Sequence, residues 1–187
     1  MKNRKFLAIL LSFCWVTLFC ASGCQTQGND SPKEDPSSLT TQYYSAMYPA
    51  FTVSEAVDFS TTIVYGEITN IKPAYQKIYP DISLTQTFTP LDIRPIRILK
   101  GENTSTVLYN RLGGEYEGVV YRQTGDNITP AVGQKVMVFL DENSCDLGPN
   151  WALWEENGMV GFESEETHTR VEMAIDEYIN MVQKEIN

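Results

Sequence analysis

The sequence predicts a mainly β domain with a short helix ahead of its first strand and an α-helix at its C-terminus. Thr61 to Ile71 is rich in β-branched residues, and Ser105 to Leu112 reads as another strand stopped by Gly113-Gly114. One run, Lys135-Val136-Met137-Val138-Phe139-Leu140, is apolar on both faces, as a fully buried strand is. The last stretch changes period, with Val171, Ile175, Tyr178, Val182 and Ile186 recurring at three- and four-residue steps.

The first residues do not belong to that domain. Lys2, Arg4 and Lys5 precede an apolar run from Phe6 to Phe19, which is shorter than the roughly 20 residues needed to span a bilayer. The run closes on Ala21-Ser22-Gly23-Cys24, small residues before a thiol, as in a bacterial lipoprotein signal. Residues 1–23 are therefore expected to be cleaved, leaving Cys24 as a diacylglyceryl cysteine that holds the chain at the extracytoplasmic face of the cell membrane. Residues 24–41 are almost wholly polar, with Leu39 the single aliphatic, and cannot bury enough apolar area to offset their ordering entropy. They read as a flexible tether reaching roughly 20 to 25 Å, and residues 42–187 as one domain.

Along that domain, Thr52 with Glu55 three residues on forms a capping box for a short helix carrying Val53, Ala56, Val57 and Phe59. Thr61 to Ile71 alternates through Val64 and Ile68, and Gly66 marks a bend or bulge. Residues 73–88 have no period and contain Pro73 and Pro80, so they are expected to form a loop. Leu91-Asp92-Ile93 and Ile96-Arg97-Ile98 alternate on opposite phases around Arg94-Pro95, which predicts one long strand with a bulge or an edge position there. Lys100 to Asn103 makes a turn. Strands follow over Ser105 to Leu112, stopped by Gly113-Gly114, and over Tyr116 to Arg122. After the buried run at Lys135, Trp151 to Trp154 and Met159 to Phe162 form a hairpin on Asn157-Gly158. Thr169-Arg170-Val171-Glu172 has the form of a second capping box, opening the final helix.

Three of these pieces, Ile63 to Ile68, Ile96 to Gly101 and Val132 to Leu140, stand in an order that resembles the netrin-like domains of tissue inhibitors of metalloproteinases. The order is still more similar to a set of uncharacterised exported bacterial lipoproteins with the same skeleton. The resemblance covers about residues 60 to 162, and it implies a five-stranded barrel of the oligonucleotide/oligosaccharide-binding (OB) type with the C-terminal helix packed outside. Those inhibitors act through an N-terminal cysteine tied to the domain by a disulfide. Here Cys24 is the lipid site and no disulfide framework stands behind it, so the resemblance carries a shape and no inhibitory residue.

Charge and composition exclude several function classes. The chain holds 14 basic and 24 acidic residues, and removing the signal leaves 11 basic residues against the same 24, a net charge of −13. Such a surface repels nucleic acid. Of four cysteines, Cys14 and Cys20 leave with the signal and Cys24 is capped, so Cys145 alone remains in the folded part, with no basic neighbour to activate it. His168 is the single histidine, which removes a histidine triad or a multi-histidine zinc site. No glycine-rich phosphate loop exists, since Gly113-Gly114 runs into Glu115 and Glu117. The oxygen-rich loop Asp141 to Gly148 places Cys145 and Asp146 at the fifth and sixth positions and Ala152 at the twelfth, which breaks calcium-loop spacing and suits a hairpin loop. No cofactor or metal is expected.

Two functions remain. The first is a non-catalytic binding or accessory domain for a protein, peptide or glycan of the envelope, using a face that draws on Tyr65, Tyr109, Tyr116, Tyr121, Trp151 and Trp154; core packing competes for the same aromatics. The alternative is an envelope hydrolase that works through carboxylates such as Glu115 and Glu117. Lipidation is the most direct test of the N-terminal signal: a radiolabelled fatty acid should be incorporated into the wild type and not into Cys24→Ala. Equal labelling of the two would exclude Cys24 as the lipid site.

Overall fold

A computed structural model describes residues 39–45, 48, 50–124, 126, 128–164 and 167–187. Cys24, the signal segment and the tether as far as residue 38 lie outside the described residues. In chain order the elements are β1 (Thr40–Tyr44), α1 (Val53–Phe59), β2 (Thr62–Ile71), β3 (Tyr75–Tyr79), β4 (Leu84–Lys100), β5 (Val107–Leu112) and β6 (Gly114–Tyr116). They continue with β7 (Val119–Gln123), β8 (Lys135–Leu140), β9 (Ala152–Glu156), β10 (Met159–Glu163), β11 (Arg170–Ala174) and α2 (Ile175–Ile186). The protein is mainly β, with the two expected helices before β2 and at the C-terminus.

The centre is built on β8. Its edges are paired with β2, from Thr62–Leu140 to Glu67–Lys135, and with β9, and both of its faces are buried. Val136, Val138 and Leu140 face the concave interior with Val64, Ile68, Leu91, Ile93 and Tyr109. Met137 and Phe139 face the other way, into a layer where Ala56 and Val57 of α1 and Tyr178, Ile179 and Val182 of α2 cover Ile63, Leu153 and Val160. The capping box of α1 forms as the sequence implies: Glu55 N–H donates to Thr52 Oγ1 at 3.2 Å, and Thr52 N–H donates to Glu55 Oε2 at 2.9 Å.

β2 also pairs with the long strand β4, and the register shifts at Tyr65/Gly66, where β2 meets Arg97 and then Pro95. This is the bulge that the phase change in the sequence signals. The backbones approach so closely there that a Cβ on Gly66 would lie 2.5 Å from Arg94 O. Pro95 costs no ladder bond on the other edge of β4, because β5 pairs with β4 only as far as Ile93.

The hydrogen-bonded order is β11-β10-β9-β8-β2-β4-β3, with β5 on β4, and a separate sheet has the order β1-β7-β6. The sheets are not closed into a barrel, so the five-stranded OB-like barrel that the resemblance implies is not confirmed. Closure would require a ladder between β5 and β9. The 141–148 loop occupies that seam instead, and Asn110 donates from its backbone to Ser144 O at 2.7 Å and from its side chain to Asn143 O at 3.0 Å.

Four local expectations are corrected. Residues 73–88 form a hairpin of β3 and the start of β4, turning through Pro80–Ile82; β3 is an exposed edge, so no buried face imposes an alternation on its sequence. Tyr116 and Tyr121 fall on two strands, because Glu117 and Gly118 take φ of 49° and 78° and make a tight hairpin. Thr40 and Thr41, placed in the tether, pair in parallel with Val119 and Val120 through β1. Finally, Arg170–Ala174 is a strand on β10, and α2 starts at Ile175 with Ala174 as an N-cap lacking a side-chain bond. The β10 ladder satisfies these backbone groups before a helix can. Among the described residues no helix is long and apolar enough to cross a membrane.

Val138 has no exposed surface. Val138→Ala is expected to lower unfolding free energy by roughly 1 to 3 kcal/mol through lost transfer energy and a residual cavity, read as a shift in denaturant midpoint.

Candidate functional site

Alternation along β5 sends Val107, Tyr109 and Arg111 to the same side, into the concave interior. Two of these carry polar groups into a space lined mostly by aliphatics, so each needs a partner. The Tyr109 hydroxyl donates a short hydrogen bond to Asp146 Oδ2, and Gly148 N–H donates to Asp146 Oδ1 at 3.1 Å. Arg111 pairs closely with Asp126 and donates to Ile128 O at 2.7 Å, while its guanidinium lies 5.9 Å from the centre of the Trp154 ring. Asp126 Oδ1 in turn accepts from Ile128 N–H at 3.0 Å, which folds the chain after β7 back over Arg111.

These groups border a cavity of about 110 Å³ at the mouth of the concave interior. Asp146 and Leu112 also border a second cleft of about 290 Å³, whose lining includes Tyr48, Lys77, Tyr79, Asn110, Asp141 and Asn143. Burial, ahead of every other influence, raises the Asp146 carboxyl from 3.8 to about 6, although Tyr109, Gly148 and Arg111 all favour its ionised form. Part of the residue reaches the cavity walls, but crowding around the carboxylate itself decides the direction. Burial and then the charge of Asp146 raise the Tyr48 hydroxyl to about 12, against a hydrogen bond with Gln123. Burial also pushes the Cys145 thiol to about 12, with Asp141 and Asp146 adding to the rise, so it stays protonated and unreactive at neutral pH.

The six aromatics proposed from the sequence do not share a face. Tyr65 and Trp151 belong to the helix-covered core: the Tyr65 hydroxyl donates to Glu155 Oε2 at 2.5 Å, and Trp151 meets Phe139 edge-on at 4.9 Å. Tyr109 is buried in the concave core and Trp154 packs at its rim; only these two reach the cavity. Tyr116 and Tyr121 stand on the small sheet, where Tyr121 stacks on Tyr44 at 5.7 Å. Strand parity says which residues share a side, but the curl of the sheet decides which side is inside.

Glu115 and Glu117 are exposed on the β6–β7 hairpin, and neither borders either of these cavities. In the 141–148 loop, Asp141 Oδ1 accepts from the backbone of Asn143 at 2.8 Å and Cys145 at 2.9 Å, so this carboxylate organises a turn. Among the described residues no group of three or more His, Cys, Asp or Glu side chains is placed to hold a metal ion. Sequence reasoning missed Arg111, Asp126 and Asp146. One signal was present: Arg111 falls on the same parity as Val107 and Tyr109, and a buried arginine requires a carboxylate or carbonyl partner. No family model matches the chain, and no curated protein matches it significantly.

A carboxyl raised on folding binds its proton more tightly in the folded state. Its stabilising contribution is therefore fully present below the ordinary value near 3.8 and is lost as pH rises through about 6. Wild-type unfolding free energy is expected to fall by roughly 1 to 3 kcal/mol across this window on account of Asp146. Asp146→Asn should remove that fall, as measured by denaturant midpoints at a series of pH values.

Proposed function

We propose that this chain is a lipid-anchored, extracytoplasmic binding domain that takes a peptide or glycan of the cell envelope in the polar mouth beside Asp146. The observation that carries the reading is the hydrogen bonding of that mouth. Both oxygens of Asp146 and both of Asp126 are already held by Tyr109, Gly148, Arg111 and Ile128, which gives a rigid recognition surface rather than a free base. Tyr48, Tyr79, Asn110 and Asn143 add the mixture of aromatic faces and amides that suits polar ligands with apolar edges. Attachment through Cys24 and the extracytoplasmic location rest on the Ala21 to Cys24 signal and are part of the proposal.

The OB-type relationship belongs here too. It is supported by the neighbour order β5-β4-β2-β8-β9, a five-strand path whose two ends face each other across the seam filled by the 141–148 loop. Partial opening of such a barrel leaves a ligand-accessible side.

One observation favours the hydrolytic alternative. Asp126 and Asp146 border the same cavity, and Asp146 is raised to about 6 while Asp126 pairs with Arg111, an asymmetry that resembles an acid and base pair. The two readings are separated by mixing the full chain, solubilised in detergent, with soluble peptidoglycan fragments. Saturable binding without turnover, weakened about tenfold or more (roughly 1.4 kcal/mol) by Tyr79→Ala, is the expected result. Turnover abolished by Asp146→Asn would establish the hydrolase in its place.

A further inference from the structure

Arg170, the first residue of β11, lies directly opposite Glu163 of β10, and Glu172 follows two residues later on the same face. Its guanidinium engages neither carboxylate and makes no ion pair or hydrogen bond among the described residues. It turns across Gly161 instead. A Cβ at Gly161 would stand 2.6 Å from Arg170 Nη2, 2.8 Å from Nε and 2.9 Å from Cζ, so the missing side chain is what lets the guanidinium lie flat there. Gly161, Arg170, Trp154 and Phe162 all border the 110 Å³ cavity whose inner wall carries Asp146.

The charges around that cavity are unequally used. Arg111 is occupied by Asp126 and Ile128 O. Arg170 keeps its full set of donors, and a guanidinium matches a carboxylate through two parallel hydrogen bonds. Asp146 accepts one hydrogen bond at each oxygen and has a further lone pair on each. Its charge is disfavoured by burial, so an added cation would make up what the protein leaves short. A free cation and an under-compensated carboxylate thus border one small space beside the Trp154 ring. With water occupying about 30 Å³ in the liquid, this space admits a ligand of only a few heavy atoms.

We propose that the cavity binds a small zwitterion, an α-amino acid with a small side chain, with the carboxylate on Arg170 and the ammonium on Asp146. The inference rests on the binding-domain reading and specifies its ligand class. Trp154 would contact the methyl of an alanine side chain, whereas large side chains exceed the volume. A ligand lacking either charge leaves one of the two groups without its partner.

The test is calorimetric titration of the detergent-solubilised full chain with alanine, alaninamide and N-acetylalanine at neutral pH. Alanine should saturate one site, and the two capped compounds, each missing one charge, should bind about tenfold or more weakly. Arg170→Met should make alanine and alaninamide equivalent, and Asp146→Asn should do the same for alanine and N-acetylalanine. Arg170 is exposed, so Arg170→Met should keep the wild-type denaturant midpoint and report on binding alone. Absence of saturation by alanine up to about 10 mM, or equal binding of alanine and alaninamide by the wild type, would overturn the inference. Peptidoglycan fragments bound by a chain that ignores alanine would leave the binding-domain reading standing without it. Turnover of those fragments would remove that reading while leaving the zwitterion result as measured.

Discussion

Everything in this fold depends on β8 being buried on both faces. Val136, Met137, Val138, Phe139 and Leu140 have no polar side to offer to water. Each must find apolar partners, and that demand places β2 and β9 at its edges, β4 and β5 over its concave side and both helices over the other. Burying five such side chains, at roughly 1.5 to 3 kcal/mol each relative to exposure, is a large share of the margin by which a domain of this size exceeds its conformational entropy.

The polar mouth is a consequence of how that arrangement stops. The path from β5 through β4, β2 and β8 to β9 curls without meeting itself, and the 141–148 loop supplies carbonyls to Asn110 where a strand ladder would otherwise form. A loop in a seam brings side chains that a ladder would not, among them Asp146. Arg111 and Asp146 are expensive to bury, and the structure offsets the expense with a close ion pair, a tyrosine hydroxyl and two backbone groups. Removing Asp146 leaves the Tyr109 hydroxyl without its acceptor, and removing Asp126 leaves Arg111 without its carboxylate.

The periphery has a different character. β3 is an exposed edge with Ile78 largely in solvent, and β1 is held to the body by its parallel ladder on β7 together with Tyr44, whose hydroxyl accepts from Thr87 N–H at 2.8 Å. Such segments have few buried apolar contacts and are the parts expected to open first under native conditions. The candidate cavity instead lies against the buried interior, where its geometry is fixed by the same packing that fixes β8.

The sequence by itself determined whatever depends on local chemistry or on uninterrupted apolarity. The capping box at Thr52 and Glu55, the bulge at Gly66 opposite Pro95, the Asn157-Gly158 hairpin and the burial of Lys135 to Leu140 each follow from a few neighbouring residues. Where long-range partners compete with local preference, the tertiary structure decided. Thr169 to Glu172 has the form of a helix start, yet β10 supplies a ladder and turns Arg170 to Ala174 into a strand. Tyr65 and Trp151 could have faced solvent by parity alone, and the helices α1 and α2 cover them. Arg111, Asp126 and Asp146 stand far apart in the chain and become neighbours only because the sheet curls before it closes, a distance relation that no local pattern of residues encodes.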